Sequence, residues 1–443
     1  MPKITLIGAG SGCFSLGLVR DLCSSAHLSD SILSLMDINE ERLNATYELC
    51  IRYRDEIGGK LKVEKTLNRI EALKGANYVI TTALAHSYTY LMEEWKIAEK
   101  HGFQFYGSAH VKHCEAFYSN FYQLRLFESI TQDILTYCPD AWHLLIANPV
   151  LAGTTYIQRK YPTAKIVGIC HGGYGNAYKI ADAFGCKHED YTFQMSGVNH
   201  FVWMTKGNLK DKDLFTAIDE AMARGESPLG GSLREYYYRE HGVIGLGDTL
   251  YITGAAWPWH FWSDEQNRRD FGFVDLMDGW NSVYFDWTAQ LLLDMADLSK
   301  DKTRSVKEFL KTVWVDDLTM PLIESLECNI PRTFYVNVLN KGGIVPGIPE
   351  NFSVEVQALC QKDEIRPIQV DPLPPSIIAL TMRDRLAPVE MEIQAFITGK
   401  MAYLEELVLM DKWAASLTQV RAFIKEIMDL PHNADLKAYY GGR

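Results

Sequence analysis

The chain has 443 residues, 47% of them hydrophobic and 23% charged, which is the composition of a folded globular protein and excludes a disordered one. At roughly 150 residues per domain the length predicts two or three domains, each large enough for its own core. The net charge of -12 comes without any long basic run, so nucleic acid is not an expected partner.

The nine cysteines are odd in number and scattered, without the close spacing of a disulfide framework or a zinc knuckle. A reducing, cytoplasmic setting fits them. No stretch approaches the roughly 18 uninterrupted apolar residues of a membrane span, so a soluble protein with no membrane partner is expected. The apolar start, Ile4 to Val19, is broken by glycines and followed by Arg20 and Asp21, which reads as structure and not as a leader.

In chain order, the first part alternates β-branched runs with amphipathic segments, the pattern of a parallel sheet covered by helices. Strands are predicted at Ile4 to Ile7, Ile32 to Met36, Tyr78 to Thr82, Leu144 to Ala147 and Ile166 to Gly168. Between them, Leu43, Tyr47, Cys50 and Ile51 recur at helical spacing, as do Leu124, Phe127, Ile130 and Ile134. This half, 1–190, is predicted to be a doubly wound Rossmann domain. From about Tyr191 the pattern changes to longer helices, an aromatic-rich stretch from Trp257 to Trp287, and a Gly/Pro-punctuated segment from Lys341 to Pro375. The change marks a second, α+β domain at 191–443. Helices at Leu386 to Thr398 and Leu417 to Met428 have the spacing for packing or for a subunit interface.

The predicted first strand runs straight into Gly8-Ala-Gly10-Ser11-Gly12, with a helical pattern behind it. A strand, a tight glycine turn and a helix N-terminus offer backbone N–H groups and a positive dipole end to a pyrophosphate. Asp37 ends the second strand, where a carboxylate accepts hydrogen bonds from ribose hydroxyls and repels a 2′-phosphate, which favours NAD over NADP. Cys13 stands where the usual fingerprint has a third glycine.

Further on, Cys170-His171-Gly172 is followed by Gly197-Val-Asn199-His200. A thiolate and an imidazole beside strand ends can bind one divalent ion and leave positions open for substrate and water; the same pair would also serve as a buried cysteine and a hydrogen-bonded core histidine. Asn148-Pro149 falls at the end of a predicted strand, where an asparagine orients a sugar hydroxyl or a ribose, or simply makes a turn. Asp248, among Gly245, Gly247 and apolar residues, fits either a general base with a raised pKa or a helix cap.

Together these segments resemble glycoside hydrolase family 4, the NAD- and Mn(II)-dependent glycosidases that depart from the two-carboxylate rule. The resemblance runs through Ile7-Gly-Ala-Gly-Ser11, Met36-Asp37-Ile-Asn-Glu, Ala147-Asn-Pro149, Cys170-His-Gly172, Gly197-Val-Asn-His200, Gly247-Asp-Thr249 and Asn340-Lys-Gly-Gly-Ile344, and is strongest to the α-glucosidase branch that takes unphosphorylated sugars. It implies a lactate/malate-dehydrogenase-like N-terminal fold, a homodimer or homotetramer, and α-glycoside hydrolysis through transient oxidation at carbon 3, elimination, water addition and re-reduction. It assigns Gly8, Gly10, Ser11, Gly12 and Asp37 to NAD, Cys170 and His200 to Mn(II), Asp248 as base, His171 as acid, and Asn148 and Asn199 to the substrate.

Two departures from that branch alter the sugar pocket. After Phe103 the chain reads Tyr106-Gly-Ser-Ala-His110-Val-Lys112-His113-Cys114-Glu115 where relatives carry an acidic sugar contact, and Leu250-Tyr-Ile replaces an arginine expected after Gly-Asp-Thr. His110, Lys112 and His113 form a small basic cluster, so the same mechanism on an anionic glycoside (a uronide, a 6-phospho-sugar or a sulfo-sugar) is the alternative expectation. A 2-hydroxy-acid or sugar dehydrogenase on the same Rossmann frame is a second one.

Overall fold

The computed structural model describes residues 1–12, 14–103, 116–247, 265–266, 276–313 and 318–441. Six strands, β1 (Lys3–Ile7), β2 (Ile32–Met36), β3 (Lys62–Thr66), β4 (Tyr78–Thr81), β5 (Trp142–Leu145) and β6 (Ile166–Gly168), pair in parallel in the order β3-β2-β1-β4-β5-β6. Most are continuous apolar runs because helices cover both faces of such a sheet. The helix Glu40–Glu56 buries Leu43, Leu49, Cys50 and Tyr53, and Phe121–Tyr137 buries Leu124, Phe127, Ile130 and Ile134. The order reverses between β1 and β4, the crevice where doubly wound folds hold their ligands. The Rossmann expectation is met.

Two strands differ from their sequence reading. β5 lies two residues earlier than expected, because Ile146 and Ala147 are buried beyond the last paired residue and so read as part of the run. β3 has no apolar run to announce it: Lys62, Glu64 and Lys65 are exposed on an edge strand, where charge discourages further pairing.

The second part opens not on a helix but on a hairpin, β7 (Tyr191–Val198) and β8 (Phe201–Leu209), with β9 (Lys212–Asp213) and β10 (Ile244–Leu246) beside it. β11 (Arg332–Leu339) and β12 (Ser353–Gln361), with β13 (Glu364–Pro367) alongside, insert between β6 and β7, so all thirteen described strands form one mixed sheet. Gly168, Asn337, Glu355 and Gly197 fall in one register row across β6, β11, β12 and β7. The helices near the end pack back onto the first half: Leu417–Met428 buries Val420, Phe423, Ile424 and Ile427, with Phe423 edge-on to Phe117 and 4.8 Å from Phe103. Each such side chain contributes roughly 1.5–3 kcal/mol when removed from water. Among the described residues no helix is long and apolar enough to cross a membrane, and the described cysteines are free thiols.

Candidate active site

The glycine turn is built where β1 ends. Gly8 has φ 94°, and a Cβ there would lie 2.5 Å from the backbone nitrogen of Ala83, so only glycine lets the turn close on the loop after β4. Ala9–Ser11 form one 3-10 turn before the helix Ser15–Ser24. Asp37, directly after β2, accepts from Gly10 N at 2.8 Å and from Asn39 N at 2.9 Å. Its carboxylate is thereby aimed at the glycine turn. Ser11 Oγ is buried without a hydrogen-bond partner among the described residues. An orphaned hydroxyl inside a glycine turn at a helix start suits a phosphate oxygen.

Cys170 follows β6 and His200 forms the tip of the β7–β8 hairpin. Although two strands separate β6 from β7 in the sheet, Cys170 Sγ lies 3.8 Å from His200 Nε2, and both residues are half-buried. A divalent ion about 2.3 Å from a thiolate and about 2.1 Å from an imidazole would span that separation at an angle near ~120°, so the pair fits one ion. His200 has φ 61°, a left-handed conformation uncommon for a side chain with a Cβ and concentrated at functional sites. Gly197 makes the hairpin possible: a Cβ there would lie 2.3 Å from the carbonyl oxygen of Phe201. His171 is the N-cap of the helix Gly172–Ala183, beside Cys170.

Beneath the pair lies a carboxylate that the sequence reading missed. Glu355 is 1% exposed, takes hydrogen bonds from Asn199 Nδ2 at 3.0 Å and Asn337 Nδ2 at 3.3 Å, and keeps Oε1 without a partner among the described residues. Burial pushes its carboxyl up, against the hydrogen bond from Asn199, the imidazole of His200, the amide of Asn337 and the imidazole of His171. The available signal was an acid inside the apolar run Val354-Glu355-Val356. Arg385 was missed too; its Nη2 donates to the Asn199 carbonyl oxygen at 3.3 Å, fixing the residue before His200 from the far side.

Asn148 sits at the carboxyl end of β5, half-buried, with its Oδ1 3.4 Å from Val150 N. Asn199, expected at the substrate, is buried and turned to Glu355. Asp248, His110, Lys112 and His113 lie outside the described residues, as does most of the aromatic-rich stretch. Gly247, which precedes Asp248 in the sequence, packs on the backbone of Gly172: a Cβ on it would be 3.3 Å from the Gly172 carbonyl carbon. The structure thus brings together Cys170, His171, His200 and Asn199, and separately Gly8, Gly10 and Asp37.

The chain belongs to the family 4 glycosyl hydrolases: the model of that family matches residues 3–186 and the model of its C-terminal domain matches residues 195–414. It is 24% identical to an α-galactosidase of Bacillus subtilis over 97% of each chain, and 26% identical to an α-glucosidase of Erwinia rhapontici over 97% of this chain and 96% of that one. An α-galacturonidase of Lachnoclostridium phytofermentans is 24% identical over 86% of this chain and 84% of its own. Among solved structures, a Bacillus subtilis protein described as a glucosidase, lplD, superposes with a TM-score of 0.79 at 19% identity, covering 96% of this chain and 99% of that one. The 6-phospho-β-glucosidase of Thermotoga maritima, solved with manganese, NAD+ and glucose-6-phosphate, gives 0.75 at 15% identity over 97% and 98%. A malate dehydrogenase of Plasmodium falciparum shares the fold at a TM-score of 0.51, 15% identity, over 92% of this chain and all of that one. The match is to a glycosidase family, which sets aside the dehydrogenase expectation; the malate dehydrogenase likeness is one of fold alone.

Proposed function

We propose that this family 4 glycosyl hydrolase is an NAD- and Mn(II)-dependent α-glycosidase. The observation that carries the reading is the approach of Cys170 Sγ to His200 Nε2 at 3.8 Å, made by two loops from opposite sides of an inserted strand pair. Gly8, Gly10, Ser11 and Gly12 would hold the pyrophosphate, Asp37 the adenine ribose, and Cys170 and His200 the manganese. When bound, NAD supplies reversible hydride transfer at sugar carbon 3 and manganese supplies Lewis acidity beside it, which together make the hydrogen on carbon 2 acidic.

The remaining work falls to the chain. Asp248 takes the proton from carbon 2, and His171 delivers one to the glycosidic oxygen leaving carbon 1. Water then adds at carbon 1 with the reverse proton transfers, so the cycle ends with no net redox change. Asn148 orients the sugar, and Asn199, expected at the substrate, instead holds the hairpin tip from its anchored position on Glu355. The enzyme works in the cytoplasm as a homodimer or homotetramer, with 1–190 as the NAD-binding part and 191–443 as the substrate-binding and assembly part.

A second reading of the substrate rests on two observations: the basic cluster His110, Lys112 and His113 stands where relatives carry an acidic contact, and α-galacturonidases and 6-phospho-β-glucosidases are among the similar curated proteins. The glycone is then anionic, a uronide, 6-phospho-sugar or sulfo-sugar. One experiment tests both readings: hydrolysis of nitrophenyl glycosides, α and β, neutral and anionic, with and without NAD, Mn(II) and a reductant. Turnover that needs all three additions and accumulates no NADH supports the mechanism. Turnover confined to β-glycosides, or unaffected by removing NAD and metal, overturns it, and preference for the neutral sugar overturns the anionic glycone.

A further inference from the structure

Three side chains from separate segments converge in the interior: His86 from the loop after β4, Glu94 from the helix Tyr88–Lys100, and His432 from the turn Pro431–Asn433. His86 Nε2 is 2.8 Å from Glu94 Oε2, His432 Nε2 is 3.2 Å from Glu94 Oε1, and one ligand atom from each residue falls within 4.8 Å of the other two. We propose that His86, Glu94 and His432 form a second metal site, for a borderline divalent cation such as Zn(II). The site is independent of the reading given to Cys170 and His200.

Geometry comes first. Ligands about 2.1 Å from a tetrahedral ion are about 3.4 Å apart, which lies between the 2.8 Å contact and the 4.8 Å outer spacing of this cluster, so small side-chain shifts admit the ion. Two imidazoles and one carboxylate suit zinc and its neighbours, whereas calcium and magnesium call for oxygen-rich shells.

Charge points the same way. Glu94 is 0% exposed, and its ion-pair partners among the described residues are the two histidines, with no arginine or lysine. A buried carboxylate needs a compensating positive charge, either a proton on an imidazole or a cation in its place. The half-exposed Glu93, 3.9 Å from His432 Nδ1, adds negative charge on the outer side of that ring. A divalent ion would take the place of the hydrogen bonds between Glu94 and the two Nε2 atoms, each neutral imidazole then carrying its proton on Nδ1.

The surroundings also have the form of a second shell. Asn433 Nδ2 donates to Glu94 Oε1 at 2.7 Å, orienting the carboxylate, and Tyr122 OH donates toward the Asn433 Oδ1 at 3.2 Å. The Tyr90 ring stacks on His432 at 4.0 Å and 5°, and Tyr122 stacks on His86 at 5.0 Å and 12°. Outer-shell groups that fix ring plane and carboxylate direction are what a metal site needs in order to be preformed. Bound there, the ion would tie the C-terminal helices to the loop that carries Ala83, the residue that closes on Gly8.

The test uses the full chain carrying Cys170→Ala and His200→Ala, stripped with a chelator and titrated with Zn(II) alone. One zinc per chain is expected, with an absorption edge showing nitrogen and oxygen ligands including two imidazoles, and a melting temperature raised by the metal. Adding His432→Ala, or Glu94→Gln should the histidine variant fail to fold, is expected to weaken binding at least tenfold and cancel the thermal gain. Absence of zinc binding in the double variant overturns the proposal. So does a zinc that stays when His432 or Glu94 is changed.

Discussion

Asn199 gives its side-chain amide to the buried carboxyl of Glu355 at 3.0 Å, and it does so from the residue immediately before His200. The hairpin tip that carries the proposed imidazole ligand is therefore anchored on a carboxyl group of the adjacent strand β12. Replacing Glu355 with glutamine keeps the shape and removes the capacity for negative charge beneath the ion. We expect Glu355→Gln to weaken Mn(II) binding by roughly ten- to a hundredfold while NAD affinity stays within about twofold. Metal titration alongside nucleotide titration checks this; unchanged metal affinity would show that the anchor only holds the fold.

In the proposed metal site, Cys170→Ala and His200→Ala each leave one protein ligand for the ion. Turnover is expected to fall by about a thousandfold or more in either, with the circular dichroism spectrum preserved, since both side chains are half-buried and outside the core. The wild-type enzyme should lose activity under peroxide and regain it with a thiol reductant where oxidation has stopped at the sulfenic acid. An oxidation-insensitive enzyme would remove the thiolate from the reaction.

At the nucleotide end, Asp37→Ser is expected to lower NAD affinity about tenfold and to narrow the gap between NAD and NADP, because the repulsion of a 2′-phosphate goes with the carboxylate. Gly8→Val should abolish nucleotide binding at any attainable concentration, given the 2.5 Å approach of its Cβ position to Ala83 N. Fluorescence titration of both variants measures the effects.

Glu392, in the helix Ala387–Thr398, is pushed up from 4.5 to about 8 by burial, against a hydrogen bond from Asn120 and the charge of Arg385. Its neutral form is the one the fold prefers. The stability it contributes is complete below pH 4.5 and is lost as pH rises through about 8. Glu392→Gln should therefore melt higher than wild type at pH 8, by on the order of one to a few kcal/mol, and match it more closely at pH 5. Calorimetry at the two pH values decides; a constant difference would mean that Glu392 does not titrate in this range.

Much of this molecule is readable from residue order alone where local chemistry repeats. β2 and β6 fall where their apolar runs place them, and Asp37 meets the glycine turn because a strand of fixed rise delivers it there. β3 escapes because an exposed edge strand carries no hydrophobic signal. Glu355 and Arg385 escape for another reason: their roles depend on contacts with residues more than 150 positions away, to Asn199 in both cases. The same distance hides His432 from His86, since no motif spans 346 residues.

The insertion of β11 and β12 between β6 and β7 sets an order of events during synthesis. Cys170 and His200 leave the ribosome within 30 residues of each other, yet the strands that space their loops are complete only at Gln361. Until then the sheet that sets the 3.8 Å approach of Cys170 Sγ to His200 Nε2 is incomplete. On the proposed assignment of manganese to Cys170 and His200, we expect the ion to be loaded only once most of the polypeptide has been made.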